Sequence, residues 1–291
     1  MQDYIIKATA YDYQVRAYAV RSTQTIEEVR RRHDLMPIAA TAIGRAMSAT
    51  VLLCSMLKGN DQITVNISGG GPIGSLLIDA NTTGDVRGYV SNPKAYVPLT
   101  DNQQLDIGNA VGTYGTMTVT RRNGNTTPFI GQIPLVSGEI GDDFSFYLSN
   151  SEQIPSAVGV ATLLNHDFSV QSAGGFMIQL LPGTDLKIIN EIEQRIAESI
   201  SLTSMLKENT SPEQILNIIL GQQIQAIETM PIQFKCECSR ERIANAIISL
   251  GKAEIVDMIE TDGQANAECH FCNEHYFFTK AHLEELLLEA R

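Results

Sequence analysis

The pattern of apolar and polar positions divides the chain into three parts. Up to about residue 183, short alternating runs are typical of β-strands, and two longer apolar stretches favour helices. From 184 to 230 the apolar residues recur at helical spacing, without any Phe, Tyr or Trp. The remainder, 231–291, mixes short strand-like and helix-like runs. The pattern predicts an α+β protein with a mixed α/β N-terminal domain, a helical linker and a small C-terminal module.

The N-terminal domain is expected to open with two strands and two helices. Alternation over Tyr4–Arg21 predicts the strand pair. Thr25-Ile26-Glu27-Glu28 fits a capping box, in which the Thr hydroxyl and a Glu carboxylate bond free helix amides, so a helix is predicted to begin there. Pro37 favours the first turn of a second helix, which we expect to end near Gly59.

Strand signals dominate the rest of this domain. Asn123-Gly124 predicts a tight hairpin because both residues tolerate positive φ. Ile140–Asn150 is consistent with a short helix. Strands are predicted over Gln62–Ser68, Ser75–Ala80, Thr116–Arg121, Pro128–Leu135, Ala157–Leu164 and Gly175–Leu181.

The linker is predicted to form two amphipathic helices. The first carries Ile188, Ile189, Ile192, Ile196 and Ile200. The second begins with the capping-box sequence Ser211-Pro212-Glu213-Gln214 and carries Leu216, Ile219, Leu220, Ile224 and Ile227. Helices of this length are marginally stable alone, so their apolar stripes are expected to dock on a neighbouring domain. The residues of these stripes that form the candidate switching surface are Ile188, Ile192, Ile196, Leu216, Ile219 and Leu220.

The C-terminal module is small for an independent domain. We predict a strand leading into Cys236, followed in order by a helix, a strand, a cysteine-bearing turn, a strand and a last helix. The predicted bounds are Ser239–Leu250 for the first helix, Glu254–Ile259 and Tyr276–Phe278 for the two strands, and Lys280 as the start of the last helix. A module of about sixty residues usually needs a staple such as a metal ion.

Charge and hydropathy narrow the classes of partner. The formal net charge is −12, without a basic tail, which disfavours nucleic acid and anionic membrane surfaces as partners. The apolar run Pro37–Leu57 contains Arg45, whose placement at a bilayer centre would cost about 2.5–3.5 kcal/mol, so a buried core helix is the better interpretation. Met1–Thr9 lacks the pattern of a secretory signal, and we expect a cytoplasmic protein.

Four of the five cysteines form two close pairs, Cys236-Glu237-Cys238 and Cys269-His270-Phe271-Cys272, with thirty residues between them. Such pairs, each at a turn, supply the four sulfurs that tetrahedral Zn²⁺ favours. A site with four thiolates is closed to substrate and is therefore not a hydrolytic centre. His270 and His275 are expected to be bystanders. Cys54 lies in an apolar run and is expected to be a buried hydrophobe.

The spacing alone leaves two interpretations of the zinc site open. In the first, the site is a purely structural zinc knuckle. The other is a redox switch, because a disulfide between Cys236 and Cys238 closes a small constrained ring that suggests a reducible bond. Zinc thiolates can be oxidised to disulfides, and the metal then loses its ligands. Structural zinc contributes roughly 10–16 kcal/mol to such modules, so its loss is expected to unfold this one.

The cysteine pairs belong to longer motifs, Phe234-Lys235-Cys236-Glu237-Cys238-Ser239 with Arg242, and Cys269-His270-Phe271-Cys272 followed by Tyr276 and Phe278. In these two motifs the chain resembles heat shock protein 33, a family of bacterial redox-regulated chaperones. Two upstream segments are similar to signatures of its N-terminal domain: Ser151-Glu152-Gln153-Ile154-Pro155, and Ala173-Gly174-Gly175-Phe176 through Leu181-Pro182. The resemblance covers essentially the whole chain.

The resemblance implies a chaperone without enzymatic activity, controlled by oxidation and independent of ATP. In the reduced state one zinc ion per chain is held by Cys236, Cys238, Cys269 and Cys272, and the protein is inactive. Oxidation forms the disulfides Cys236–Cys238 and Cys269–Cys272, zinc leaves, and the module and linker unfold. The active form is then a homodimer that holds unfolded proteins and prevents their aggregation, and the candidate switching surface is expected to be part of the client-binding surface.

Three other classes of function are less well supported. Gly69-x-Gly71-x-x-Gly74 formally matches a dinucleotide-binding fingerprint, but the following residues predict a strand instead of a helix, which favours a β-turn. A thiol–disulfide oxidoreductase would place Cys269-x-x-Cys272 at a helix start, whereas a strand is predicted to follow it here. A zinc-ribbon nucleic-acid binder would use Lys235, Arg240 and Arg242, but the net negative charge of the chain argues against this class.

Overall fold

The computed structural model describes residues 2–124, 127–198, 201–221 and 224–290, and they divide into two compact units. The first unit is Met1–Lys235 and the second is Cys236–Arg291. The segment predicted as a linker, 184–230, therefore lies within the first unit. The second unit begins five residues after the predicted module boundary, because Gln233–Phe234 pairs with a strand of the first unit.

The first unit contains two sheets. The five-stranded sheet is antiparallel, with the order β10-β1-β2-β9-β8. Its strands are β1 (Tyr4–Ala10), β2 (Val15–Arg21), β8 (Ser156–Leu164), β9 (Val170–Leu180) and β10 (Gln225–Pro231). The six-stranded sheet has the order β11-β5-β4-β3-β6-β7 and is antiparallel except for β11. Its strands are β3 (Gln62–Ser68), β4 (Ser75–Asn81), β5 (Asp85–Val90), β6 (Thr116–Arg122), β7 (Phe129–Pro134) and β11 (Gln233–Phe234).

The main core forms around helix α2 (Pro37–Cys54), which contacts strands of both sheets. This helix is apolar on all sides, as expected for a helix that packs against two layers at once. Among the described residues it is the one helix long and apolar enough to cross a membrane, but 89% of it is buried inside the fold. The remaining helices of this region are α1 (Thr23–His33), α3 (Ile107–Val111) and α4 (Gly141–Asn150).

The predicted strands and helices of the N-terminal domain are confirmed in type, but β5 and α3 were not predicted, and β9 begins at Val170, five residues before the predicted start at Gly175. Two further details differ. The proposed capping box at Thr25 is wrong: α1 begins after Ser22, and both the backbone amide and the hydroxyl of Thr25 donate to the buried carboxylate of Asp3, at 2.7 and 2.8 Å. Helix α2 begins at Pro37 as predicted but ends at Cys54, earlier than expected. Residues 125–126 of the predicted hairpin turn lie outside the described residues, although β6 and β7 do pair.

Three helices cover the other face of the five-stranded sheet. They are α5 (Leu186–Glu198), α6 (Leu202–Lys207) and α7 (Pro212–Leu220). Ser211 and Gln214 form the predicted capping box of α7. The extension of this helix through Ile224 and Ile227 is wrong: Gly221 adopts a left-handed conformation and ends the helix, and Ile227 lies in β10. Ile200 lies outside the described residues.

The second unit combines a two-stranded sheet with helices. Its elements are α8 (Arg240–Leu250), α9 (Lys252–Asp257), a π-helical turn (Met258–Asp262), β12 (Gln264–Glu268), β13 (His275–Thr279) and α10 (Lys280–Glu289). The strand predicted over Glu254–Ile259 is wrong. Ile255, Met258 and Ile259 are spaced for one helical face and pack into the unit's apolar core, so the segment is helical.

Candidate metal centre

The first cysteine pair lies in an extended segment immediately before α8. The Ser239 hydroxyl accepts a hydrogen bond from the Arg242 amide at 3.2 Å and caps the helix, so the extended chain ends directly after Cys238. The Arg242 guanidinium donates back to the carbonyl of Glu237 at 2.8 Å. These local contacts fix the backbone between the two sulfurs.

The second pair lies in the turn between β12 and β13. The amides of Cys272 and Asn273 both donate to the carbonyl of Cys269, at 3.2 and 2.7 Å, and the amide of Cys269 donates to Glu274 at 2.9 Å. Asn273 has a positive φ of 60°, which Asn tolerates better than most residues. The strand pairing and this turn hold both sulfurs on the same side of the loop as the first pair.

The four sulfurs form one cluster, which we call the cysteine cluster: Cys236, Cys238, Cys269 and Cys272. All four Sγ atoms lie within 4.8 Å of one another. Two close contacts join the two motifs, at 3.7 Å between Cys236 and Cys269 and 3.2 Å between Cys238 and Cys272. A tetrahedral ion with Zn–S bonds of about 2.3 Å separates its sulfurs by about 3.8 Å, so the donor set fits such an ion.

The electrostatics of the cluster also call for a cation. Burial raises the pKa of Cys269 and that of Cys272, and hydrogen bonds with the neighbouring thiols raise the pKa of Cys272 further. Thiolates crowded in a half-buried site are therefore stable only with positive charge among them. In the part of the chain that the structure describes, the group of side chains able to hold a metal consists of these four cysteines, while His270 and His275 are exposed.

One further side chain touches the cluster. The Tyr276 hydroxyl donates to Cys238 Sγ at 3.1 Å, and this hydrogen bond, together with burial, raises the pKa of Tyr276. Groups that bond to metal ligands in this way orient them and tune their basicity. The sequence marks Tyr276 only as part of a motif. Its contact with sulfur has no local sequence signal, because the contact depends on how β13 passes Cys238 in the folded unit.

Two basic residues near the first pair are engaged within the second unit. The Arg240 guanidinium lies over the Phe278 ring, 4.4 Å from its centroid, and donates to the Phe277 carbonyl at 2.7 Å. Arg242 is held by Glu237. These contacts describe a packed surface around the cluster and add no support to the nucleic-acid alternative.

The fifth cysteine, Cys54, belongs to the first unit and is not part of the cysteine cluster. Cys54 is 2% exposed at the end of α2, and burial raises the pKa of its thiol to about 12. It is the buried apolar residue that the sequence predicts.

The Gly69–Gly74 segment is a turn between the antiparallel strands β3 and β4, as the sequence predicts. The Gly71 amide donates a hydrogen bond to the Val111 carbonyl. The dinucleotide-binding fingerprint therefore lacks the helix that it requires.

All six residues of the candidate switching surface belong to one apolar cluster with the outer face of the five-stranded sheet. Ile192, Leu216, Ile219 and Leu220 are buried there, and Ile188 and Ile196 are partly buried. The sheet face that receives them was not anticipated. It is rich in small residues and includes Ala8, Ala10, Ala17, Ala19 and Ala161. A signal does exist in β1 and β2, whose apolar residues appear on both faces instead of one.

Comparison with known proteins decides the family. The family description "Hsp33 protein" matches residues 3–279. The chain belongs to the Hsp33 family. A 33 kDa chaperonin of Bacillus pumilus is 54% identical over 98% of both chains, and that of Bacillus subtilis is 52% identical over the same shares. The crystal structure of the 33 kDa chaperonin of Thermotoga maritima matches with a TM-score of 0.94 and 36% identity, over 99% of each chain.

Membership in the Hsp33 family confirms the resemblance and the α+β fold expected from the sequence. It also makes this chain a chaperone of unfolded proteins and not an enzyme. The Hsp33 assignment places the cysteine cluster in a chaperone, where a closed four-sulfur site has no substrate to activate.

Proposed function

We propose that this protein is a redox-regulated holdase that works without ATP, inactive when its cysteine cluster holds one Zn²⁺ and active once the cluster is oxidised. The observation that carries the proposal is the gathering of four sulfurs, from motifs thirty residues apart, within 4.8 Å in one small unit. Bound Zn²⁺ supplies the charge that keeps four neighbouring thiolates together.

The second unit has little else to hold it together. Among its described residues, the buried apolar side chains are Ile247, Ile255, Phe278, Leu283 and Ala290, with Cys272 beside the cluster. Metal binding of roughly 10–16 kcal/mol exceeds what so small a core contributes to net stability. Loss of the four ligands is therefore expected to unfold the unit.

Oxidation by a peroxide removes the ligands in two balanced steps for each pair. One thiolate attacks a peroxide oxygen, so that an S–O bond forms, the O–O bond breaks and hydroxide leaves. The second thiolate attacks the sulfenic sulfur, so that the S–S bond forms and a second hydroxide leaves. Two protons from solvent convert the hydroxides to water. Two peroxides thus oxidise four cysteines, and disulfide sulfurs no longer bind the metal.

The expected products are the disulfides Cys236–Cys238 and Cys269–Cys272. This pairing comes from the family resemblance, while in the folded cluster Cys236 also lies close to Cys269, and Cys238 to Cys272. Peptide mapping of the oxidised protein therefore discriminates between bridges that form within each motif and bridges that form across the intact cluster.

The proposal connects the cluster to client binding through the linker helices. Unfolding of the second unit removes the anchor of the chain that follows α7, and α5 to α7 then leave the sheet. The aliphatic residues of these helices and the alanine-rich sheet face become available to unfolded clients. We further propose that the active form is a homodimer, that the protein is cytoplasmic, and that neither nucleic acid nor membrane is a partner.

The test combines metal analysis with a chaperone assay. Reduced protein is expected to contain one zinc per chain, and peroxide with mild warming to release it as suppression of client aggregation appears. Reductant plus zinc should reverse both changes. Cys54→Ala, which keeps this core position apolar, is the matched control and should bind and release zinc as the parent does. Zinc that is released by oxidation while client aggregation stays unchanged would assign the cluster a purely structural role.

A further inference from the structure

Strand β10 is attached to the protein mainly by its backbone. It is the outermost strand of the five-stranded sheet and pairs antiparallel with β1 from Tyr4 opposite Pro231 to Thr9 opposite Gln225. Six of its seven residues are exposed, and the Ile227 side chain is 64% exposed. Because neither face of β10 is buried, its main-chain hydrogen bonds to β1 hold it more than its side chains do.

The side-chain contacts that β10 does make are few and peripheral. Lys7 and Glu228 form an ion pair of 2.9 Å between partly exposed groups, and Met230 packs partly against the main core. The register also shifts between Lys7 and Ala8, where the pairing with β10 is irregular. A strand with such contacts can be replaced by another extended segment of unrelated sequence.

The neighbouring strand β1, in contrast, does not need β10 to keep its shape. It pairs with β2 over seven residue pairs on its other side. Ile5 faces the main core, while Ile6, Ala8 and Ala10 pack with the apolar cluster under α5 to α7. If β10 left, β1 would remain an ordered strand with one row of unpaired amides and carbonyls, which is a template for strand addition.

The chain after β10 leads directly to the cysteine cluster. Ile232 is buried and its amide donates to the Asp3 carbonyl at 3.2 Å. Gln233 and Lys235 both bond the Asp85 carboxylate, at 2.9 and 2.8 Å, and the next residue is Cys236. β10 therefore lies between the linker helices and the first metal ligand.

We propose that the β1 edge binds an extended segment of an unfolded polypeptide, and that β10 occupies this edge until oxidation frees it. The inference rests on the proposed redox switch and assigns one site to its clients. Main-chain pairing suits a chaperone because it recognises the backbone that all clients share, while flanking apolar surface adds affinity. The structure already shows the kind of occupant: an extended strand that contributes almost no buried side chains.

Photo-cross-linking from β1 tests the proposal directly. Lys7 is replaced by a photoreactive phenylalanine, since its side chain points beside Glu228 of β10 and is partly exposed. The probe client is reduced, carboxymethylated α-lactalbumin, which is permanently unfolded and has no free thiols. The reduced chaperone is expected to cross-link within its own chain to residues 225–231, and the oxidised chaperone to the client. The same probe at Tyr96, an exposed loop residue of the first unit, is the control.

Hydrogen exchange of the β1 amides gives a second measurement without any substitution. Alternate amides of Tyr4–Ala10 face β10, and the others face β2. Oxidation without client is expected to lower the protection of the first set by about tenfold or more and to leave the second set protected. Addition of the unfolded client should restore protection to the first set.

The outcomes separate this inference from the proposed function. If oxidised protein suppresses aggregation but β1 amides stay protected and Lys7 still cross-links to β10, the strand is not displaced and the inference is wrong. Cross-linking to a second copy of the chain would identify the edge as a dimer interface and also overturn it, as would released amides that no client protects. If oxidation produces no chaperone activity at all, the proposed function itself fails.

Discussion

The hydroxyl of Tyr276 is a side-chain group outside the four cysteines that bonds a cluster sulfur. Its hydrogen bond to Cys238 at 3.1 Å withdraws electron density from that sulfur and fixes its direction. A ligand held in this way is both a better-placed metal donor and a weaker nucleophile. The residue therefore bears on how tightly the metal is held and how quickly oxidant attacks.

Replacement Tyr276→Phe should weaken the site while the ring stays in place. We expect zinc affinity to fall by about tenfold, as is typical when an outer hydrogen bond to a ligand is removed, and zinc release by peroxide to become faster. Competition with a chromophoric chelator measures the first effect and a stopped-flow assay the second. Tyr96→Phe, at a 79% exposed position, is the matched control. Unchanged affinity and rate would show that the hydroxyl has no such role.

Asp85 holds the segment just before the cluster. Its two carboxylate oxygens accept hydrogen bonds from Gln233 and Lys235. Asp85→Asn should cost about 1 kcal/mol or less, since the pair is partly exposed, and should let β11 detach more readily. The expected result is activation at a lower temperature for the same peroxide dose, measured by aggregation suppression. Asp34→Asn, which breaks the Lys94 pair at the surface, should leave the activation temperature unchanged.

At the residue scale the sequence predicts the four cysteines of the cluster better than the residues that contact them. Four cysteines in two close pairs suffice, because metal ligation constrains spacing along the chain. The contacts of Tyr276 and Asp85 join positions far apart in sequence, and no local pattern records them. Thr25 shows the same limit, since the acceptor for its amide is the remote carboxylate of Asp3.

In the proposed function, the docking of the linker helices has to break before clients can bind. Leu216 is completely buried against the sheet, while Ile218, on the same helix, is 41% exposed. Leu216→Ala should therefore weaken the docking of α7 by about 2–4 kcal/mol, and Ile218→Ala by no more than about 0.5 kcal/mol. We expect the first variant to become active at lower temperature or partial oxidation and the second to match the parent. Equal activation thresholds would argue against docking as the barrier.

A hydrogen bond between β1 and α7 gives the docking a pH dependence. The Tyr4 hydroxyl donates to Glu213 at 2.7 Å. Burial alone would raise the pKa of Glu213, but hydrogen bonds from Tyr4 and Ser211 and the charge of Arg21 outweigh it and hold the pKa below its ordinary value. Burial and the same bond raise the pKa of Tyr4 to about 12, so Tyr4 remains a donor at neutral pH.

The sign of the effect follows from linkage. Because the pKa of Glu213 is lower in the folded state, its contribution to stability is present above the ordinary value of 4.5 and is lost as the pH falls through the folded value. Tyr4→Phe should cost about 1 kcal/mol at pH 7, and the difference from the parent should shrink on acidification below that range. Denaturant unfolding of both reduced proteins at several pH values measures this. A difference independent of pH would contradict the assignment.

Element type was predictable where one period dominates. The stripes of α5 and α7 have no competing pattern, and both helices were predicted. Two errors arose where tertiary structure decides. Ile227 continues the helical spacing, but Gly221 ends α7 and the open edge of β1 accepts the next segment as a strand. Glu254–Ile259 contains β-branched residues, yet its apolar positions match a helix that fills the core of the second unit.

The first unit of the molecule has a large apolar core, whereas the second unit has a small apolar core and the cysteine cluster. Removal of zinc from the reduced protein by a chelator should therefore unfold the second unit without any oxidant, since the folding free energy of such modules is largely binding free energy. Limited proteolysis is expected to cut within 236–291 and to spare the sheets of the first unit. A second unit that stays resistant after metal removal would contradict this expectation.

The division into units was partly readable from the sequence. Cysteine clustering separates the C-terminal module, and the loss of aromatic residues marks the linker. The linker helices belong to the first unit because they pack on the alanine-rich face of the five-stranded sheet. Alanines allow helices to approach closely, and these alanines come together only when the strands pair. That surface is a property of the folded sheet and of no single segment.

The burial of Cys54 has a practical consequence. Four of the five thiols are consumed when the cluster is oxidised, so the remaining one, 2% exposed and with a pKa of about 12, becomes the single alkylation target in each chain. Its labelling rate then counts how often the interior of the first unit opens. Alkylation of Cys54 therefore measures the opening of the core around α2 in the oxidised protein without any engineered probe.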